Sequence, residues 1–168
     1  MRVDPLAKLA GTPCPSLLPG GTGCSIYAAR PPICGEYRCL WLRGGLTPED
    51  RPDRLGAVLD LWARGTDVRL DIRQALPGSF DRSPRLQQIA ARYRETMAVR
   101  ITDVDDVMNP DRPFRVLLPD GSENRVRGDI VETHREGRRV EIRRSGWLER
   151  AVRRWLGWRR FRKLRNYH

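Results

Sequence analysis

Four cysteines are the residues of this chain best suited to chemistry, and all of them lie in one short N-terminal stretch. They are Cys14, Cys24, Cys34 and Cys39, and no further cysteine occurs in the 129 residues that follow. A thiolate is a soft, anionic donor that favours zinc, iron or copper(I) over magnesium or calcium. Four thiolates complete a tetrahedral shell around zinc or iron. The cluster therefore predicts a zinc or iron site with these four ligands.

Two other interpretations of the cysteines stay open. Free thiols can pack in a core as small apolar groups, and a pair of them can form a redox-active disulfide. The Pro- and Gly-rich loop over residues 13–25 disfavours simple core packing, and the lack of a Cys-x-x-Cys pair disfavours redox chemistry. Clustered cysteines without a secretion signal are typical of metal-binding or redox-active proteins.

Three neighbouring side chains are predicted to surround the ligands. Arg30 and Arg38 can donate to sulfur and offset the negative charge of a four-thiolate shell. Tyr27 is placed with them, and it is most simply apolar packing around the metal loop, like Tyr37, Trp41 and Trp62. A bound ion would also hold together a region that is too rich in loops to fold alone.

The stretch over residues 23–42, GCSIYAARPPICGEYRCLWL, resembles the signature of the YkgJ-like cysteine-cluster proteins, also called zinc/iron-chelating domain proteins. The residues that match are Cys24, Ile26, Tyr27, Arg30, Pro31, Cys34, Tyr37, Cys39 and Trp41. The resemblance covers residues 13–56 and implies a metal-binding bacterial protein, from a family mostly without an assigned activity. Ser16 stands where many relatives carry histidine, and their further N-terminal cysteines are absent here. These departures imply a single ion in place of a cluster, or weaker binding.

The elements that must position this site follow from periodicity and turn residues. Helices are predicted over residues 33–42, 53–62 and from the Ser83 cap to about Met97, the last with a buried stripe of Leu86, Ile89, Ala90 and Tyr93. Strands are predicted around residues 68–72, 99–104, 114–118, 130–131 and 140–142. A helix that mixes with several antiparallel strands indicates an α+β fold.

Three regions are predicted along the chain. Residues 1–62 form a loop-rich, metal-stapled N-terminal lobe that carries the cysteine cluster, and residues 63–145 form a small antiparallel sheet with helices. Residues 146–168 form a basic amphipathic helix, in which Trp147, Leu148, Val152 and Trp155 share one face.

The positive charge is concentrated in the last fifth of the chain. The net charge is +11, and residues 135–168 carry 13 basic and 3 acidic side chains. Such asymmetry indicates an anionic partner, either nucleic acid or a membrane surface, and a solvated basic helix end is the alternative. The predicted anion-binding residues are Arg153, Arg154, Arg159, Arg160, Arg162 and Lys163.

Other kinds of site have little support in the sequence. It contains no phosphate-binding glycine loop, dinucleotide fingerprint or nucleophile motif. His134 and His168 are the only histidines, and an acidic cluster at Asp103, Asp105 and Asp106 lacks the spacing of a calcium loop. No apolar run is long enough for a transmembrane helix or a signal peptide, so the expected location is the cytoplasm. Catalysis by a zinc or iron-sulfur centre is the remaining hypothesis, suggested by a distant similarity of the family to flagellin lysine N-methylases.

Overall fold

A computed structural model describes residues 3–8, 14–21, 23–104, 112–152, 154, 155 and 158. Its strands form one seven-stranded sheet in chain order: β1 Ala57–Arg64, β2 Asp67–Gln74, β3 Ala98–Asp103, β4 Phe114–Leu117, β5 Ser122–Arg127, β6 Ile130–Arg135 and β7 Arg138–Arg144. Its α-helices are α1 Pro32–Glu36, α2 Pro52–Leu55, α3 Ser79–Arg82 and α4 Pro84–Arg94. Short 3-10 helices lie at Asp4–Leu6, Pro19–Gly21 and Tyr27–Ala29. The α+β prediction is confirmed.

Neighbouring strands are antiparallel except for β2 and β3, which run parallel. A parallel pair needs a crossover connection, and α3 with α4 supplies it. Helix α4 begins as the sequence predicts, because the Ser83 hydroxyl accepts a hydrogen bond from the Leu86 amide at 3.2 Å. This N-cap satisfies a backbone donor that the first helical turn leaves free.

The core lies between α4 and one face of the first strands. Helix α4 contributes its predicted stripe of Leu86, Ile89 and Ala90, with Tyr93 partly buried beside them. The register places Ile72 of β2 between Leu59 of β1 and Ile101 of β3. All three side chains are buried in the same cluster as the helix stripe. The sheet extends well beyond this core, since every residue of β7 is exposed.

The helix predicted over residues 53–62 is wrong. Helix α2 ends at Leu55, because Gly56 adopts the left-handed conformation with φ of 64°, which ends helices readily when the residue is glycine. The chain then continues as β1, with Leu59 in the core and Trp62 stacked against Arg69 of β2 at 3.9 Å. A short apolar run is compatible with either type of element, and pairing with β2 decides it here. Strand β1 spans residue 62, the predicted boundary between the first two regions.

The helix predicted over residues 33–42 is also shorter than expected. It ends at Glu36, and Tyr37 is extended. The Leu40 amide donates to the Leu59 carbonyl of β1 at 2.8 Å. This segment therefore lies along the edge of the sheet instead of continuing a helix. Strand β5 was not predicted, because Val126 is its only apolar residue.

The C-terminal region is described in part. Residues 147–152, 154, 155 and 158 are helical, and the predicted basic end, residues 159–168, lies outside the described residues. The other predicted strands are present and most are longer than expected. In the ranges given above, no helix has the length and apolarity that crossing a bilayer requires.

An ion pair between buried Asp50 and the exposed Arg85 connects the segment before α2 to helix α4. Asp50 is 2% exposed and accepts hydrogen bonds from Arg85 at 2.7 and 2.8 Å, and from the Thr47 hydroxyl at 2.9 Å. The bonds from Arg85 lower the pKa of Asp50 from its ordinary 3.8 to about 2. Since the folded pKa is depressed, this contribution to stability is present above pH 3.8 and is lost as the pH falls through about 2.

Asp50→Asn is expected to lower the free energy of unfolding at neutral pH by about 1–3 kcal/mol, because the amide nitrogen cannot accept from Arg85. Urea denaturation of both proteins measures the difference. The difference should narrow as the pH is lowered from 4 towards 2, where wild-type Asp50 itself becomes protonated. If the difference in the free energy of unfolding stayed constant over this pH range, altered packing and not the lost ion pair would be its cause.

Candidate metal centre

All four cysteines lie in the described part of the chain, and none of them forms a disulfide. Cys14 is in a loop, Cys24 is in an isolated bridge with Leu17, and Cys34 is inside α1. These three thiols are partly exposed, whereas Cys39 is only 5% exposed. The cysteines thus come from separate pieces of a region that contains little regular structure.

Tight turns hold the backbone of this region. The carbonyls of Cys14 and Cys24 accept from the amides of Leu17 and Tyr27 at 3.0 and 3.3 Å. Each cysteine is therefore the first residue of a four-residue turn. The Ser25 amide and hydroxyl also donate to the Ser16 carbonyl, at 2.9 and 3.2 Å. These bonds bring the segments around Cys14 and Cys24 side by side.

One cavity of about 520 Å³ connects the predicted residues. Its lining includes three of the four cysteines and all three predicted neighbours, together with apolar and aromatic side chains: Leu6, Cys14, Cys24, Ile26, Tyr27, Arg30, Cys34, Gly35, Tyr37, Arg38 and Leu42. Cys39 is not part of this lining. The structure therefore brings Cys14, Cys24 and Cys34 to a common space.

The cavity does not form a closed coordination shell. Among the described residues, no three or more His, Cys, Asp or Glu side chains are grouped so that they could hold a metal ion. The donor chemistry nevertheless fits a soft cation, because the three thiols of the lining form no disulfide and the described residues of the lining include no carboxylate. The donor set makes this cavity the candidate metal site.

Arg30 is held against Tyr27. Its guanidinium donates to the Tyr27 carbonyl at 2.9 Å and lies over the Tyr27 ring, 4.0 Å from the ring centre. A cation over an aromatic face is stabilised by the ring quadrupole. Arg30 and Arg38 thus place two positive charges on the cavity wall, where they would offset the charge of thiolates. Their predicted role towards sulfur stays a prediction.

Tyr37 connects the cysteine region to the sheet, a role that sequence reasoning missed. Its hydroxyl donates to Asp60 of β1 at 2.6 Å, and Arg73 of β2 donates to the same carboxylate oxygen at 3.3 Å. Burial, reinforced by the bond to Asp60, raises the pKa of Tyr37, so the phenol stays protonated and keeps donating. The available signal was Asp60 itself, a charged residue in an otherwise apolar run.

Other residues that the sequence singled out lie elsewhere or have structural partners. The Trp41 indole donates to the Thr47 carbonyl at 3.0 Å. His134 is on β6, 3.4 Å from Glu132, far along the sheet order from the cysteines. Asp103 accepts from Gln74 at 2.6 Å. Asp105, Asp106 and His168 are outside the described residues, as are all the predicted anion-binding residues except Arg154.

Comparison of the chain with protein-family models, with curated proteins and with solved structures gave no match. The resemblance of residues 23–42 to the cysteine-cluster family therefore stays a prediction. The cavity and its thiol donors are the features that bear on function.

Proposed function

We propose that this protein binds one zinc or iron ion through the thiolates of Cys14, Cys24, Cys34 and Cys39. The observation that carries the proposal is the cavity whose lining contains three of these thiols without a disulfide. Cys39 is included because it follows Cys34 by five positions on the same short segment. Two of these thiols come from loops and one from α1, and three protein ligands are the donor set of catalytic zinc sites, while structural sites take four.

The neighbours of the cavity support a cation bound by thiolates. Thiolate ligation releases protons, so binding should weaken as the pH is lowered. Arg30 and Arg38 would offset the excess negative charge, and the bond between Tyr37 and Asp60 would keep the ligand-bearing segment on β1. The ion would hold the loops together, and a role in metal handling or in catalysis stays a prediction.

Elemental analysis of protein purified anaerobically, without an affinity metal, tests the proposal. About one zinc per chain without colour is the expected result for a closed four-thiolate site. Iron with charge-transfer absorption would also support thiolate ligation and would indicate redox chemistry. Protein that carries no metal and takes up none when titrated under reducing conditions would contradict the proposal.

Nucleic-acid binding is the second candidate function. The observation that favours it is β7, where Arg138, Arg139, Arg143 and Arg144 all belong to a fully exposed strand. Phosphate contacts by these residues and by the predicted C-terminal basic residues would make binding strongly dependent on salt. Titration of mixed-sequence oligonucleotides at increasing salt measures this dependence, and no binding at low salt would contradict it.

A further inference from the structure

We propose that the helical residues 147–152, 154, 155 and 158 bind the surface of an anionic lipid bilayer through an exposed apolar face. The inference is independent of the proposed metal site. It rests on three observations, which are the exposure of large apolar side chains, the attachment of the opposite helix side to the sheet, and the surrounding positive charge.

Large apolar side chains are exposed on this helix. Trp147, Leu148, Val152, Trp155 and Trp158 are between 48% and 75% exposed. Leu148, Val152 and Trp155 follow one another at intervals of four and three residues, which places them on one face of a helix. A contiguous apolar patch at a protein surface marks a site that binds another protein, a membrane or a ligand.

Polar residues on the other sides attach the helix to the last hairpin. Arg143 of β7 pairs with Glu149 at 3.0 Å, and Arg150 pairs with Asp129, before β6, at 3.5 Å. The Ser145 amide donates to the Asp129 carbonyl at 2.7 Å, and Ser145 is buried. At 100° per residue, Arg150 lies on the side opposite Leu148. The helix is thus bound to the protein by its polar side and presents its apolar side outwards.

The sequence segment that contains this face is strongly basic. Residues 135–168 carry 13 basic and 3 acidic side chains, and β7 exposes its arginines next to the helix. Basic residues that flank an apolar helix face attract it to anionic headgroups, and the apolar face then enters the boundary with the acyl chains. Tryptophan is favoured at this depth because its ring is apolar and its indole N–H can bond to headgroups or water.

The composition of the face favours lipid over nucleic acid. Nucleic acid would use the tryptophans for base stacking and the arginines for phosphates. It would leave the aliphatic side chains of Leu148 and Val152 without an apolar partner. A bilayer surface accommodates the aliphatic residues, the tryptophans and the basic residues together.

Co-sedimentation of the full chain with vesicles tests the proposal. We expect binding to vesicles of phosphatidylcholine mixed with phosphatidylserine, much weaker binding to phosphatidylcholine alone, and a blue shift of tryptophan fluorescence on binding. Quenching by lipids brominated along the acyl chain should locate tryptophan within the bilayer boundary. Absence of binding to the anionic vesicles, or binding without a shift or quenching, would overturn the proposal.

A matched pair of double variants identifies the face. Leu148→Gln with Val152→Gln should weaken vesicle binding by about tenfold or more, since binding scales with the apolar area that enters the bilayer. Val68→Gln with Leu76→Gln replaces one exposed valine and one exposed leucine elsewhere and should bind like wild type. Equal vesicle binding by the two variants would overturn the proposal. So would an oligonucleotide that binds wild type and whose binding the helix variant weakens by the same factor as vesicle binding. Circular dichroism verifies that the folded sheet is retained in each case.

Discussion

Replacing Cys24 with serine is expected to reduce the bound metal from about one ion per chain to nearly none after dialysis. Serine keeps the size of the side chain but replaces a soft thiolate with a hydroxyl that stays protonated at neutral pH. The backbone positions Cys24 through its bridge with Leu17 and the turn that follows it. Metal content and native mass spectrometry measure the loss.

Metal loss should loosen the cysteine region without unfolding the sheet. None of the four cysteines belongs to the buried cluster formed by α4 and the first strands. We therefore expect faster proteolysis within residues 14–39 in Cys24→Ser, with cleavage in β1 to β3 unchanged. Added chelator should produce the same pattern in wild type, because bound metal stabilises only the folded loops.

Ser25→Ala is the matched control for this experiment. It removes a hydroxyl that donates to the Ser16 carbonyl at 3.2 Å, one residue from Cys24, and leaves every thiol in place. It should retain the full metal content. Retention of metal by Cys24→Ser would remove Cys24 from the ligand set, and loss of metal in Ser25→Ala would indicate that the loop conformation, more than the thiol, controls binding.

Replacing Ile72 with alanine is expected to lower the free energy of unfolding by about 2–5 kcal/mol, through lost apolar burial and the cavity that remains. Ile72 is 0% exposed, lies between Leu59 and Ile101, and belongs to the cluster under α4. Few side chains can relax into the space, because neighbours from two strands and the buried residues of α4 belong to the same cluster. Urea denaturation measures the lost free energy of unfolding, and the dependence of that free energy on urea concentration should be compared between the variants.

Ile142→Ala makes the same chemical change on β7, where the side chain is 53% exposed. We expect it to cost less than about 1 kcal/mol, since little apolar area is removed from contact with protein. Equal losses in the two variants would contradict a core between α4 and β1 to β3. They would indicate instead that the outer hairpin contributes as much to stability as the centre of the sheet.

Local patterns account for the parts of the fold that were predicted correctly. The alternation of Val68, Leu70 and Ile72 with charged residues marks β2, and Ser83 with the stripe of Leu86, Ile89 and Ala90 marks α4. Leu70 and Ile72 of β2 and the stripe of α4 are buried, although Val68 at the start of β2 is exposed. The neighbouring turn residues agree with each element, so propensity and packing favour the same structure. No long-range information is needed to identify them.

The misassigned segments are those in which pairing overrides local preference. Residues 57–64 carry an apolar pattern that suits a helix, yet they become β1 because their backbone pairs with β2 and with Leu40. Strand β5 is largely polar and is a strand because β4 and β6 lie on either side of it. Such contacts join residues distant in sequence, and periodicity within a short window cannot contain them.

The candidate site also combines features that the sequence predicts with features that only the tertiary structure decides. Residue type and spacing predict four thiols as a soft-metal donor set with two arginines beside them, because ligand preference is a property of the side chains themselves. The tertiary structure decided which of the thiols share a cavity. Turns and β1 bring Cys14, Cys24 and Cys34 together and leave Cys39 outside the lining. The link from Tyr37 through Asp60 to Arg73 likewise exists only once β1 pairs with β2, because no local pattern relates a tyrosine to a carboxylate 23 positions away.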